Sequence, residues 1–243
     1  MAAAQRLDTL LIQRAQAKNR HAAFILVTGG RVFVNGQKAV SPAQMVGEDD
    51  EVEVRGGKEF VGRGAYKLEA AIERFGVKVR GMVCADIGAA TGGFTEVLLK
   101  HGATKVYAID VGRGKLDLSL REDPRVVLME ETNALSLASL PEPVDLVTVD
   151  VSFTSLRLVL PAIRGWLSSG GRVIALFKPQ YEIRDKSLLK HGILRDEGVR
   201  TELVEAFRVW LKESGWRELG FMESPIRGSE GNVEYLFYLT PSV

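Results

Sequence analysis

Asp86-Ile87-Gly88-Ala89-Ala90-Thr91-Gly92-Gly93-Phe94 lies between an apolar run, Met82 to Ile87, and an amphipathic segment, Phe94 to Lys100. That arrangement predicts a buried strand turning tightly into a helix. Glycines in such a turn let backbone pass close to a ligand, and the free N–H groups of the new helix favour an anionic group. The turn therefore points to a nucleotide-like cofactor. Two acids narrow the choice. A dinucleotide fingerprint, G-x-G-x-x-G, receives a pyrophosphate, whereas the spacing here is Gly88-x-x-x-Gly92-Gly93 and Asp86 stands at the strand end. A carboxylate there repels a diphosphate and suits a cationic amino or sulfonium group. A second apolar run, Lys105 to Ile109, ends in Asp110, placed to accept the two ribose hydroxyls of an adenosine. S-adenosylmethionine fits both acids and NAD fits one. A βα turn with no ligand is the plain alternative.

Outward from this turn, strands and helices alternate. Met82 to Ile87, Val106 to Asp110, Val126 to Met129, Val144 to Asp150 and Arg172 to Phe177 read as strands. A helix, Val199 to Glu213, precedes two more strands, Arg217 to Glu223 and Val233 to Leu239, expected to close the sheet as an antiparallel pair. The alternation predicts a doubly wound, Rossmann-like α/β sheet. Ligands of such sheets lie outside the carboxyl ends of the strands, which draws attention to Asp150 and to Lys178 in Leu176-Phe177-Lys178-Pro179-Gln180.

The first sixty residues differ from the rest. A short helix opens at Arg6-Leu7-Asp8, Asn19 to Leu26 reads as a second, and Arg31 to Gly36 reads as a strand entering a tight Asn-Gly turn. Six cations, Arg6, Arg14, Lys18, Arg20, Arg31 and Lys38, stand against one acid, Asp8, and the acids Glu48, Asp49, Asp50, Glu51 and Glu53 follow together. Segregation of this kind suggests a basic face turned to phosphate and an acidic edge turned away. A solvated charged face is the alternative. The glycine-rich stretch from Val54 to Gly64 breaks both periodicities and reads as a linker before a helix from Ala65 to Ile72.

Whole-chain composition excludes several classes. The 243 residues are 46% hydrophobic and 26% charged, with a net charge of +1, so the chain is an ordinary globular protein without a global nucleic-acid signature. Cys84 is the one cysteine, which rules out a disulfide framework or a zinc cluster. Met1-Ala2-Ala3-Ala4 opens no secretory signal, and no run of about 18 apolar residues occurs, so a cytoplasmic location away from the membrane is expected.

The helix, helix, Gly-x-Val-x-Val-Asn-Gly pattern resembles an S4 domain, a small α+β RNA-binding module. It rests on Arg6, Leu7, Asp8, Arg20, Ala23, Gly30, Val32, Val34, Asn35 and Gly36. Family members often have Ser-Arg where this chain has Asn19-Arg20, a change that keeps a helix-capping side chain. Lys67, Asp150, Lys178 and Glu234 match, residue by residue, the Lys-Asp-Lys-Glu set of the FtsJ-like (RrmJ-like) RNA ribose 2′-O-methyltransferases. With the S4-like segment in front, the chain resembles the TlyA or hemolysin A family of ribosomal RNA cytidine 2′-O-methyltransferases from about residue 5 to residue 240. One departure is the interdomain peptide, often Arg-x-Trp-Val, which here is Lys58-Glu59-Phe60-Val61 and lacks the forked guanidinium.

This resemblance implies an S4 RNA-binding domain at 1–57, a linker at 58–64 and an S-adenosylmethionine-dependent methyltransferase domain at 65–243. It implies Lys67, Asp150, Lys178 and Glu234 as the catalytic set, with Lys178 orienting a ribose hydroxyl and accepting or stabilising its proton. Asp86, Gly88, Ala90, Thr91, Gly92, Gly93, Phe94, Asp110, Asn133 and Asp150 would hold the cofactor, Asn133 at the adenine. Arg6, Arg14, Lys18, Arg20, Arg31 and Lys38 would bind RNA, with ribosomal RNA or a ribosomal subunit as partner, no obligate protein partner and no metal. Competing readings are a non-enzymatic ribosome-assembly factor, a membrane-active hemolysin and a base methyltransferase. No basic amphipathic helix supports the second, and no catalytic Cys or Asn/Asp-Pro-Pro-aromatic site supports the third.

Overall fold

The computed structural model describes residues 4–17, 19–28, 30–47, 49–54 and 60–242, and the chain divides into two compact units, Met1–Glu59 and Phe60–Val243. In the first unit, β1 (Gln5–Arg6) leads into α1 (Leu7–Gln13), followed by α2 (Arg20–Thr28), β2 (Val32–Val34), β3 (Gln37–Lys38), β4 (Met45–Val46) and β5 (Val52–Val54). Asn19 accepts the Ala22 N–H at 2.8 Å, so the expected side chain does start α2. Asn35 and Gly36 both take left-handed φ, 51° and 77°, which is what a two-residue hairpin turn between β2 and β3 requires. Leu7, Leu11, Ala23, Val27 and Val32 are buried together beneath these elements.

The second unit opens with α3 (Ala65–Phe75) and runs through β6 (Val83–Ile87), α4 (Gly93–Lys100), β7 (Lys105–Ile109), α5 (Leu118–Arg121), β8 (Val126–Met129) and β9 (Val144–Val149). It continues with α6 (Leu156–Ile163), β10 (Leu167–Phe177), α7 (Pro179–Glu182), α8 (Glu197–Glu213), β11 (Trp216–Glu223) and β12 (Tyr235–Pro241). These strands form one sheet of order β11-β12-β10-β9-β6-β7-β8, in which β6 to β10 are parallel. Order reverses between β6 and β9, the crevice where doubly wound sheets bind ligands.

Side-chain parity assigns the two faces. Ala85, Ile87, Val147, Val149, Val173 and Ala175 meet Leu160, Phe207 and Leu211 of α6 and α8. Cys84, Val106, Ala108, Leu146 and Ile174 meet Leu68 and Ile72 of α3 and Val97 and Leu98 of α4. Both faces are covered, so the strands are continuous apolar runs. Burial pushes the Cys84 thiol up to about 12, with Asp145 and Asp86 adding to the effect, so it is an inert core group.

Two expectations are corrected. β10 begins at Leu167 rather than Arg172, because an irregularity between Leu167 and Arg172 hides its first half from the alternation pattern. The last strand begins at Tyr235 rather than Val233, and it inserts between β10 and β11 instead of merely closing an edge. The stretch read as linker is, from Phe60 onward, part of the second unit's core. Phe60 is 5% exposed and lies under Lys100, and the Val61 N–H donates to Glu96 at 2.6 Å. Lys58 and Glu59 lie outside the described residues.

Candidate active site

Strand register brings distant residues to one edge. Ile87 pairs with Ile109 and Val149, and Val149 with Ala175, so Gly88, Asp110, Asp150 and Lys178 emerge side by side at the carboxyl ends. Antiparallel β12 starts where parallel β10 ends, Tyr235 opposite Phe177, and so delivers Glu234 to the same edge. The first turn of α3 supplies Lys67.

The four charges are arranged as two ion pairs. Lys67 Nζ lies 2.5 Å from Glu234 Oε2, with both side chains less than a tenth exposed. Lys178 Nζ lies 2.6 Å from Asp150 Oδ1, donates to the Val151 carbonyl at 2.8 Å and stands 3.4 Å from Ser152 Oγ. A cation in the first turn of a helix is disfavoured by roughly 0.3–1 kcal/mol, and burying one adds a larger desolvation cost. The position of Lys67 is therefore a poor choice for stability alone.

Two cavities meet at this edge. One of about 260 Å³ is lined by Lys67, Glu234, Lys178, Gln180, Arg63 and Arg227. The other, of about 300 Å³, is lined by Asp110, Asn133, Leu135, Phe153, Ile109 and Val159. Gly88, Ala90, Asp150 and Ser152 belong to both, so the Lys178–Asp150 pair stands at the shared wall.

Asp110 faces the second cavity. Burial pushes its carboxyl up, but the Gly112 N–H at 2.7 Å, the Ala90 N–H at 2.9 Å and Lys115 at 3.2 Å outweigh that and hold it below the usual carboxylate range. Among the described residues its Oδ2 accepts the Ala90 N–H and no other donor, which leaves acceptor capacity at this oxygen. Asn133 uses its Oδ1 to accept the Leu135 N–H at 3.0 Å.

Asp86 is elsewhere. It shares the parity of Cys84, points toward α4 and is 0% exposed, accepting Thr95 Oγ1 at 2.7 Å and Thr148 Oγ1 at 2.9 Å. It lines neither cavity, so a direct contact with a cationic cofactor is not what this carboxyl makes. Desolvation raises it to about 6 despite both hydroxyls. Gly88 lines both cavities, and two of the glycines are also required by packing. Gly88 has φ 83°, and a Cβ there would stand 2.2 Å from the Asp150 carbonyl oxygen. At Gly92, φ 97°, a Cβ would meet Leu120 at 2.2 Å. Close approach here is of chain to chain. Gly93 and Phe94 are buried, and with Ala90 and Thr91 they border a smaller cleft of about 90 Å³ at the turn.

Phe153 is 88% exposed with a left-handed φ of 61°, and its ring lies 5.1 Å from that of Tyr181 beside Lys178. A bulky residue held in that backbone region is strained. The sequence gives no role to Phe153, Arg63, Gln180 or Arg227, none of which belongs to a periodic pattern. Of the cations between Arg184 and Arg200, Lys186 donates to the Gln180 carbonyl at 3.0 Å and Arg200 to the Arg195 carbonyl at 2.7 Å. In the first unit Arg6 is paired with Asp8 at 2.6 Å, and Arg14 donates weakly to the Val52 carbonyl at 3.5 Å. Arg20, Arg31 and Lys38 have no carboxylate partner among the described residues; Lys18 lies outside them.

A doubly wound sheet with this turn, this strand-end acid and these lysine–acid pairs at the switch point defines a methyltransferase of the nucleoside-cofactor class. The family model for FtsJ-like methyltransferases matches residues 60–240, and that for the S4 domain matches residues 5–52. The chain belongs to the FtsJ-like methyltransferase family, with an S4 domain at its N-terminal side. A Mycobacterium tuberculosis protein named 16S/23S rRNA (cytidine-2′-O)-methyltransferase TlyA is 43% identical over 245 residues, 98% of this chain and 91% of that one. A Campylobacter jejuni protein named 23S rRNA (cytidine-2′-O)-methyltransferase TlyA is 37% identical over 74% of this chain and 70% of its own. A solved Streptococcus thermophilus structure that carries the label hemolysin superposes with a TM-score of 0.74 at 36% identity, covering 98% of this chain and 89% of that one. Among the described residues no helix is long and apolar enough to cross a membrane.

Proposed function

We propose that this chain transfers the methyl group of S-adenosylmethionine to the ribose 2′-hydroxyl of cytidine in ribosomal RNA. The observation that carries the reading is the wall between the two cavities, where the Lys178–Asp150 pair can face a cofactor on one side and a hydroxyl on the other.

The second cavity fits the cofactor. Asp110 offers an acceptor to a ribose diol, Ile109, Ala134 and Leu135 give apolar sides for adenine, and Asn133 has an amide nitrogen with no partner among the described residues. When bound, S-adenosylmethionine supplies an electrophilic methyl on a sulfonium. Asp150 in the shared wall puts a carboxylate near that cationic centre, the role Asp86 cannot take from the core.

On the other side, Lys178 has three N–H donors, two of which make short bonds to Asp150 and the Val151 carbonyl. The third, reaching only Ser152 Oγ at 3.4 Å, is the weakly held one; given up to solvent, it leaves a lone pair that orients a ribose hydroxyl and takes its proton as the oxygen bonds the methyl carbon and the old bonding pair stays with sulfur. Lys67 and Glu234 add a second, more deeply buried pair that fixes the local field. The exposed Phe153 ring offers a stacking face to a nucleobase, which suits a nucleoside in an unpaired segment. Arg20, Arg31 and Lys38 of the S4 domain give the phosphate contacts on which affinity for RNA rests.

The test is transfer of labelled methyl to purified small and large ribosomal subunits, followed by mapping of ribose-methylated cytidines. Label on a ribose 2′-oxygen supports the reading. Label on a base, or none on either subunit, refutes it.

A further inference from the structure

We infer that Arg63 and Arg227 form a phosphate clamp that seats the RNA backbone beside the reacting ribose; the inference rests on the reading of this site as one for RNA ribose. Both side chains line the 260 Å³ cavity that holds the two lysine–acid pairs. Each lysine there has its own carboxylate, Lys67 with Glu234 and Lys178 with Asp150. Arg63 and Arg227 have none among the described residues, and both are exposed. The remaining acid on the rim, Glu230, stands against the Gly192 turn, its Oε2 3.0 Å from where a Cβ of Gly192 would lie. Four cations against three acids leave the cavity positive, and the excess sits on the two arginines.

Their placement is fixed although their heads are free. The Arg63 carbonyl accepts the Tyr66 N–H at 3.3 Å, entering the helix turn that carries Lys67. Arg227 is held between Ile226, whose carbonyl accepts Ser224 Oγ at 2.7 Å, and Gly228, whose N–H donates to the Asn232 carbonyl at 3.0 Å. A Cβ at Gly228 would stand 2.4 Å from Glu234 Oε1, so Arg227 is one residue from direct contact with the catalytic pair. The two arginines therefore come from the two segments that carry Lys67 and abut Glu234. Every 2′-hydroxyl inside an RNA strand is flanked by phosphodiesters, so a cavity that admits the hydroxyl must receive anions at its mouth. Guanidinium forks bind such groups bidentately. Contacts to phosphate set register rather than base identity, so these are positioning residues.

The experiment compares Arg63→Gln, Arg227→Gln and the double variant of the full chain with wild type. RNA binding is read directly across a salt series, alongside single-turnover methyl transfer against ribosomal RNA concentration. Each substitution is expected to raise the half-saturating RNA concentration about tenfold, more than it lowers the maximal rate, and to reduce the slope of log affinity against log salt by about one. Arg63→Lys and Arg227→Lys should recover the slope and only part of the affinity. Arg217→Gln, near the far end of β11 where Trp216 pairs with Pro241, is the control for lost charge alone. Wild-type slopes in both Gln variants, or an equal drop in Arg217→Gln, would overturn the clamp. Arginine-dependent slopes in a protein that transfers no methyl would overturn the reaction and leave the clamp standing.

Discussion

Replacing Lys178 with alanine tests the reaction centre, and the structure sets the size of both effects. The ammonium bridges Asp150 at 2.6 Å and the Val151 carbonyl at 2.8 Å. Hydrogen bonds involving a charged group contribute about 1.5–3 kcal/mol, and breaking a buried pair costs about 3–5 kcal/mol. The Asp150 side chain is 21% exposed, so water relieves part of that, and a loss of about 2–3 kcal/mol is expected. For a unit of this size the midpoint of thermal unfolding should fall by roughly 5–10 °C. Methyl transfer should fall further, about a hundredfold to ten-thousandfold, as for loss of a positioned proton acceptor. Single-turnover transfer at a temperature well below the shifted midpoint, with cofactor titration as a folding control, separates the two. Lys178→Arg divides the role itself: a guanidinium keeps charge and donors but does not give up its proton. Substantial activity there would assign Lys178 to orientation rather than base chemistry. Wild-type rates in folded, cofactor-bound Lys178→Ala would refute the reaction centre.

Asp110→Asn should weaken cofactor binding by at least about tenfold, since an amide cannot accept from Ala90 and Gly112 together and also serve a ribose; an unchanged calorimetric affinity would contradict the assignment. Asp86→Asn works through pH. The folded carboxyl titrates near 6 against 3.8 ordinarily, so its protonated form is favoured by folding: stability is highest below about pH 4, declines as pH rises through 6 and is flat above. The variant should lose that slope and gain up to about 3 kcal/mol at pH 7, read as the difference in unfolding midpoint between the two proteins across pH; parallel curves would show the carboxyl to be neutral throughout or never strained. A chain beginning at Phe60 should keep cofactor affinity and lose most of its salt-sensitive RNA binding, keeping the part that Arg63 and Arg227 supply. One beginning at Gly64 should lose both, because it lacks Phe60 and the Val61–Glu96 bond that brace α4 behind the turn.

Alternation of apolar runs with amphipathic segments was enough to predict the doubly wound sheet, because parallel strands covered on both faces leave that signature. It could not say which way Asp86 points. In a strand buried on both sides parity carries no hydrophobic contrast, and only Thr95 and Thr148 reveal the side it takes. Asp150 and Lys178 stand out as strand-end residues, whereas Lys67 and Glu234 come from resemblance alone, and the meeting of all four depends on register. The bond from Lys178 to the Val151 carbonyl cannot be read from sequence either, and it adds to what losing this strand-end lysine costs. Arg63 and Arg227 stand in glycine-containing connections without periodicity, and that neither has a carboxylate partner among the described residues is a property of the fold alone.

Because β12 lies between β10 and β11, the sheet cannot be laid down in the order of synthesis. β11 emerges first and must wait beside a gap until the last strand arrives to fill it. Glu234 travels on the leading end of that strand, and without it Lys67 is a buried cation at the positive end of a helix. Lys67 can therefore be neutralised by Glu234 only as the sheet is completed. The glycine turn and Asp110 lie early in the unit and Glu234 on its last strand, so the reaction edge, unlike the cofactor edge, depends on the end of the chain.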